Sequence, residues 1–221
     1  MPSNQSFRNG LNFFCLSLLA FAGFGLEIIL AFVLEPFFYG RGLNDFSTAE
    51  NILHWVMTCL LWAGLSYLLI HIAKKKYAFD IFAFRNSMGL GGWLICLGLL
   101  TVSVVVSVMS WQGIKVVKEL MYNGWLKFMF QYIYYFVETG LFLLIIVFGQ
   151  KAGELWFRER QVPWGGLLVG LTWGLVHAFT KGDVLVGALS CLSGLMYGVV
   201  YLICKKNLYF AYPLIFLMFA L

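Results

Sequence analysis

Seven stretches of the chain are almost wholly apolar, at residues 11–34, 51–73, 89–110, 128–150, 163–180, 184–204 and 208–221. Their apolar positions run on without the alternation of a half-buried strand, and the runs are too long for barrel segments, so each predicts a helix. Six reach 18 residues or more, the length that crosses a hydrocarbon layer of ~30 Å. The last has 14 residues and is expected to tilt, re-enter or lie at the interface. Two connecting segments mix aromatic or aliphatic residues with charge, 76–87 (KYAFDIFAFRNS) and 112–127 (QGIKVVKELMYNGWLK), and predict amphipathic helices in the headgroup layer.

Composition sharpens this into a class. Of 221 residues, 62% are hydrophobic, 19% aromatic and only 11% charged, more apolar side chain than a soluble domain of this length can hide. The expectation is an all-α polytopic membrane protein, a bundle of about seven transmembrane helices forming one integral membrane domain over residues 1–221. The first run is too long for a signal-peptide core and has no small-residue cleavage site, so it reads as a retained helix. Cys15, Cys59, Cys96, Cys191 and Cys204 lie in or beside apolar runs without metal or redox spacing and read as small buried hydrophobes. No basic tract with interleaved aromatics points to nucleic acid.

Lysine and arginine set the expected orientation. With the N-terminus inside, the inner segments hold Arg8, Lys74, Lys75, Lys76, Arg85, Lys151, Arg158, Arg160, Lys205 and Lys206, ten in all. The outer segments hold five, Arg41, Lys115, Lys118, Lys127 and Lys181. The excess favours an N-terminus inside. The outer loop 35–50 carries three acids and one base, which agrees.

Small residues mark close helix contacts. Gly166, Gly170, Gly174 and Ala178 recur every fourth residue on the fifth segment, and Gly187, Cys191, Gly194 and Gly198 form a similar stripe on the sixth. His177, seven residues after Gly170, falls on nearly the same face and is expected to point into the bundle.

Against this apolar background, two ionisable residues stand out, Glu138 and His177, because an ionisable group at bilayer depth is costly and marks a functional site. Glu138 is twelve residues before Gln150 and His177 fourteen after Pro163. Measured from the basic loop 151–162, these counts put both at a depth of about 18–21 Å on adjacent helices. A Glu–His pair there is suited to sharing a proton or activating a water. Tyr134 and Tyr135, one turn away, and Gln131, two turns away, are placed to hydrogen-bond into the same cavity. Glu27 and His54 reach the outer half from the first two segments, so the two Glu and two His side chains can converge from four helices. Such a set suits Zn²⁺, although no local pair has ligand spacing such as HExxH and no residue is assigned as a metal ligand.

The stretch 163–221 carries PWGGLLVGLTWGLVHAF, with Trp173 four residues before His177, then a glycine-spaced helix, the basic turn Lys205-Lys206 and a Pro-containing helix. This pattern resembles the C-terminal half of the CPBP family, the CAAX protease and bacteriocin-processing (Abi) membrane proteins. The resemblance implies intramembrane peptide hydrolysis with His177 in the site, and a bacterial plasma membrane as its setting. It also implies a partner motif, EExxxR, whose Glu activates water. Glu154 and Arg158 match the second Glu and the Arg, with Gly153 in place of the first Glu, but they lie in the charged inner loop. The alternative placement starts at Glu138, with Thr139 and Leu143 at the second Glu and the Arg, and depth favours it. Glu154 and Arg158 then read as an i,i+4 ion pair at a helix end. The family's last motif, a His followed four residues later by Asn or Asp, has no counterpart in 208–221.

Three functions follow from these residues. The first is a CPBP-like hydrolase cleaving a membrane-associated peptide, prenylated protein or lipoprotein, with Glu138 as general base and His177 orienting water. The second is acyl transfer on a lipid or lipoprotein by the same pair. The third is a non-catalytic immunity or peptide-binding membrane protein.

Overall fold

The computed structural model describes residues 4–221, and all the regular structure in them is helical. The chain runs α1 Gln5–Tyr39, α2 Thr48–Tyr77, α3 Leu90–Trp111, α4 Lys115–Phe157, α5 at 164–181, α6 Val184–Ile203 and α7 Leu208–Ala220. Among the described residues, α1, α2, α3, α4 and α6 are long and apolar enough to cross a membrane.

Helix ends follow their local chemistry. Ser47 and Glu50 form a reciprocal capping box at the start of α2, with Ser47 N–H to Glu50 Oε2 at 2.7 Å. Asp183 Oδ1 accepts from Leu185 N–H at 2.7 Å to start α6, and Asn207 Oδ1 accepts from Tyr209 N–H at 3.0 Å to start α7. Gly40, at φ 67°, ends α1 in the left-handed conformation that glycine takes at least cost.

The centre of the bundle is α4. Every residue from 141 to 150 is buried, as the near-continuous run LFLLIIVFGQ requires of a helix that is apolar all round. It packs against α1, α2, α5 and α7, while α3 lies outside with Cys96 its one buried residue. The outer surface is itself apolar: Phe32, Phe37, Met109, Phe179 and Val184 are all exposed. A surface of this kind is stable against lipid and not against water.

The small-residue stripes meet within the chain. A Cβ added at Gly166 would lie 2.8 Å from Gly198 Cα, and one at Gly194 would lie 2.8 Å from Gly170 Cα. The α5 and α6 backbones are thus in direct contact, and Cys191 Sγ donates to Gly170 O at 3.1 Å.

Two connecting segments differ from expectation. Residues 78–89 form no helix. Ala78 turns left-handed (φ 50°), Phe79 N–H bonds back to Ala73 O at 3.0 Å, and Phe79 stacks edge-on against Phe13 at 5.1 Å while Ile81 is buried. The aromatic and aliphatic residues of this segment serve the core instead of a lipid-facing stripe. Residues 115–123 are helical and expose Val117, Met121 and Tyr122, as an amphipathic surface helix does, but the face turned to the bundle is charged, with Lys115 and Glu119 buried.

The glycine contact makes a paired prediction. Gly194→Leu should lower stability by about 1–3 kcal/mol through overpacking. Gly64→Ala, where an added Cβ meets nothing within 4 Å, should raise it by about 0.5–1 kcal/mol through helix propensity. Unfolding in mixed detergent micelles, followed by circular dichroism, measures both.

Candidate functional site

Glu138 and His177 are joined through one residue, Trp173. The Trp173 indole N–H donates to Glu138 Oε1 at 3.2 Å, and the Trp173 carbonyl accepts from His177 Nδ1 at 2.8 Å. A carbonyl can only accept, so His177 carries its proton on Nδ1 and, as the neutral ring, a lone pair on Nε2. Trp173 is itself fixed by Phe142 (5.1 Å between centroids), Phe219 (5.7 Å) and the His177 ring (4.4 Å). The direct Glu138–His177 hydrogen bond expected from equal depth does not form. Trp173 stands between the two helices and holds one residue with its side chain and the other with its backbone. Glu138 Oε2 and His177 Nε2 bond no other described group. Neither is sealed in, since the one buried side-chain polar atom without a partner among the described residues is Thr58 Oγ1.

Glu27 and His54 do meet, and they bring a residue that was assigned to a loop. His54 Nδ1 contacts Glu35 Oε2 at 2.8 Å, and His54 Nε2 contacts Glu27 Oε1 at 3.4 Å. Tyr134 OH donates to the same Glu27 oxygen at 2.8 Å. His54 and Glu35 are both buried, at 3% and 4% exposure. The helix explains why two glutamates eight residues apart share a face. An α-helix turns about 100° per residue, so eight residues overshoot two turns by about 80°. A π turn at Leu30–Leu34, closed by Glu35 N–H to Leu30 O, absorbs the extra residue and brings Glu35 back above Glu27. Each His54–Glu contact needs a proton. Neutral histidine supplies one, so the other sits on the second ring nitrogen or on a carboxylic acid, and the triad carries net charge −1.

A third cluster depends on Gly124. Its φ 67° and ψ 167° lie in a region only glycine occupies at low cost, and the chain there folds back on itself. On a straight helix Glu119 and Tyr135, sixteen residues apart, would be about 24 Å apart. Here Tyr135 OH donates to Glu119 Oε1 at 2.7 Å, Gln131 Nε2 to the same oxygen at 3.1 Å, and Tyr132 OH to Oε2 at 2.9 Å. Gln131 and Tyr135 were expected beside Glu138; the fold-back gives them to Glu119 instead. The same region closes the far end of α7. Ser103, Lys115, Tyr132 and Ser107 donate to the carbonyls of Met218, Phe219, Ala220 and Leu221, at 2.8, 2.9, 3.3 and 3.0 Å. These are the four carbonyls a helix end leaves without partners.

The other motif candidate lies at the basic end of the bundle. Glu154 Oε1 pairs with Lys206 Nζ, in the turn between α6 and α7, at 2.5 Å and accepts from Gln150 Nε2 at 2.8 Å. Arg158 caps α4 in a left-handed conformation (φ 58°), its N–H on Glu154 O at 3.1 Å. No group of three His, Cys, Asp or Glu among the described residues is arranged to hold a metal ion. In the Glu27–His54–Glu35 triad the two ring nitrogens face opposite carboxylates, so the donors do not converge on one centre. Comparison of the chain with family models, with curated proteins and with solved structures finds no match.

Sequence reasoning missed Glu35 and Glu119 and left Trp173 as a motif spacer. Glu35 had a readable signal, a second Glu eight positions after Glu27 on a continuous apolar run. Glu119 had one too, its place before Asn123-Gly124, a turn dipeptide inside a helical pattern.

A buried carboxylate held by one histidine makes removal of that histidine expensive. His54→Ala should cost about 3–5 kcal/mol, since it leaves the buried Glu35 carboxylate without its partner, while Glu27 keeps Tyr134. Trp173→Phe should cost about 1–3 kcal/mol, the price of leaving Glu138 Oε1 unbonded. In a double-mutant cycle, Glu35→Gln should cost less in the His54→Ala background than in wild type. Equal costs in both backgrounds would show that the pair is not coupled.

Proposed function

We propose that the chain is an integral membrane hydrolase of a bacterial plasma membrane, with seven spans and the N-terminus inside. It acts on a membrane-associated peptide, prenylated protein or lipoprotein. One observation carries this reading. Glu138 and His177 each present a free acceptor atom, Oε2 and Nε2, and both are held rigidly by Trp173 through their other atoms. Each acceptor can take a hydrogen bond from a water, which has two protons to donate. Glu138 takes the proton as the water attacks. That proton passes from Glu138 to Nε2 of His177, whose Nδ1–H is locked on a carbonyl, and from there to the leaving amine, which restores the Glu138 carboxylate and the neutral imidazole. The Trp173–His177 spacing also supports the CPBP resemblance, in which this histidine lies in the site.

The remaining polar groups fit a supporting role. Tyr134 lies one turn before Glu138 on α4 and ties that turn to Glu27 and, through His54, to Glu35. The string fixes the face of α4 that carries Glu138.

The test uses the purified protein in lipid nanodiscs and fluorescence-quenched peptides bearing either a prenyl or a diacylglyceryl anchor. Glu138→Gln should reduce hydrolysis by about 10²–10⁴-fold, and His177→Ala by a similar factor. Glu154→Gln, sixteen residues or about 24 Å along α4 from Glu138, should leave the rate within about twofold. Loss of activity in Glu154→Gln with retention in Glu138→Gln would transfer the base to the basic end. Hydrolysis unaffected by either Glu138→Gln or His177→Ala would overturn the proposal.

A further inference from the structure

A second concave feature lies on the opposite side of α4 from Glu138. It is a cavity of about 390 Å³ between α2, α4 and α7, within the range of small-molecule sites, with the loop 78–89 across its basic end. Ser66 and Ile70 of α2, Ile81 and Phe82 of the loop, and Gly140 of α4 form its walls with Tyr209 of α7. The lining is almost entirely apolar, and the Tyr212 hydroxyl at its edge is already committed to the Phe136 carbonyl at 2.5 Å. Water has few partners there, and a void of this size is too costly to leave empty.

Length and charge identify the occupant. Ser66 lies eleven residues before Tyr77, the last residue of α2, so the walls run about 16 Å from the basic end, close to half of a ~30 Å hydrocarbon layer. That is the depth of one leaflet and the reach of one acyl chain. At the mouth, the Arg85 guanidinium stacks 4.1 Å from the centroid of Tyr209, a wall residue. Asp80, the acid nearest in sequence, is paired with Lys74 at 2.7 Å. Arg85 therefore has no carboxylate within ion-pair distance among the described residues. Lys206, 6.0 Å from the Phe84 ring of the same loop, is already paired with Glu154.

We propose that this groove binds one acyl chain of an anionic phospholipid from the leaflet at the basic face, with its phosphate on Arg85. The site is independent of hydrolysis at Glu138. It wedges lipid between α2 and α7 and sets their spacing against α4, the helix that carries the candidate base on its other side.

The experiment uses the full chain in nanodiscs doped with phosphatidylglycerol carrying a photoactivatable diazirine in one acyl chain, followed by peptide mapping. Labelling should saturate and concentrate in residues 66–82, 136–144 and 208–213. Ser66→Phe, which fills the groove, should reduce it about tenfold; Ile70→Phe is the second filling variant should the first fail to fold. Arg85→Gln should abolish an approximately fivefold preference for phosphatidylglycerol over the phosphatidylcholine analogue, the contribution expected of one near-surface cation. Labelling spread evenly over the lipid-facing surfaces of α1 and α3 and unchanged by the filling variants would overturn the proposal. So would exclusion of lipid from the groove by a second copy of the chain, seen as a protein–protein crosslink through residues 66–82.

Discussion

A polar atom inside this bundle has little but protein to bond, and most of the architecture follows from that constraint. Each of the buried glutamates is met by donors from another part of the chain: Glu35 by His54, Glu119 by three side chains beyond the Gly124 fold, and Glu138 by Trp173. Serine hydroxyls that would otherwise be stranded find backbone carbonyls on neighbouring helices, as Ser17 does at Ile145 O (2.8 Å). The Trp62 indole, fully buried, donates to Gly23 O at 2.9 Å, at the point where α1 breaks between its two halves. These bonds cross between helices, so they fix rotation and register, which apolar packing between similar side chains leaves open.

The helices and their contacts were largely legible. Uninterrupted apolar runs placed all seven helices, and the spacing of Gly166, Gly170 and Gly174 against Gly194 and Gly198 marked an interface where two backbones touch. Capping residues such as Ser47, Asp183 and Asn207 stand where the helices begin. What the pattern hid were departures from the 3.6-residue period. The π turn at Leu30–Leu34 shifts the bonding frame, which lets Pro36 begin a fresh α turn without a break and carries α1 to Tyr39. Residues 35–39 therefore read as loop when they are helix. Gly124 hides in a second way, because a helical pattern on both sides of it gives no hint that Glu119 meets Gln131, Tyr132 and Tyr135 across the bend.

For the candidate site, depth counting put Glu138 and His177 side by side; in the structure each bonds Trp173 and not the other. Indirect coupling of this kind is outside the reach of residue counting, since it depends on which face of α5 a π turn presents. A π turn at Gly170–Gly174 does on α5 what the one at Leu30–Leu34 does on α1. Both polar constellations are thus built on helices with one wide turn, and each wide turn lies within a few residues of the groups it aims. Glycine allows this on α5, where Gly170 and Gly174 press directly on Cys191 of α6.

The side chains that meet the last carbonyls of α7 have a consequence for how this end of the bundle comes together. Ser103 and Ser107 come from α3, and Lys115 and Tyr132 from the two sides of Gly124, so the bonds to Met218, Phe219, Ala220 and Leu221 form only when three helices and the bend in α4 are all in place. Phe219, held in that set, packs on Trp173. The ring that carries the Glu138 contact is therefore seated by the last part of the chain, and its position depends on α3, which touches neither Glu138 nor His177.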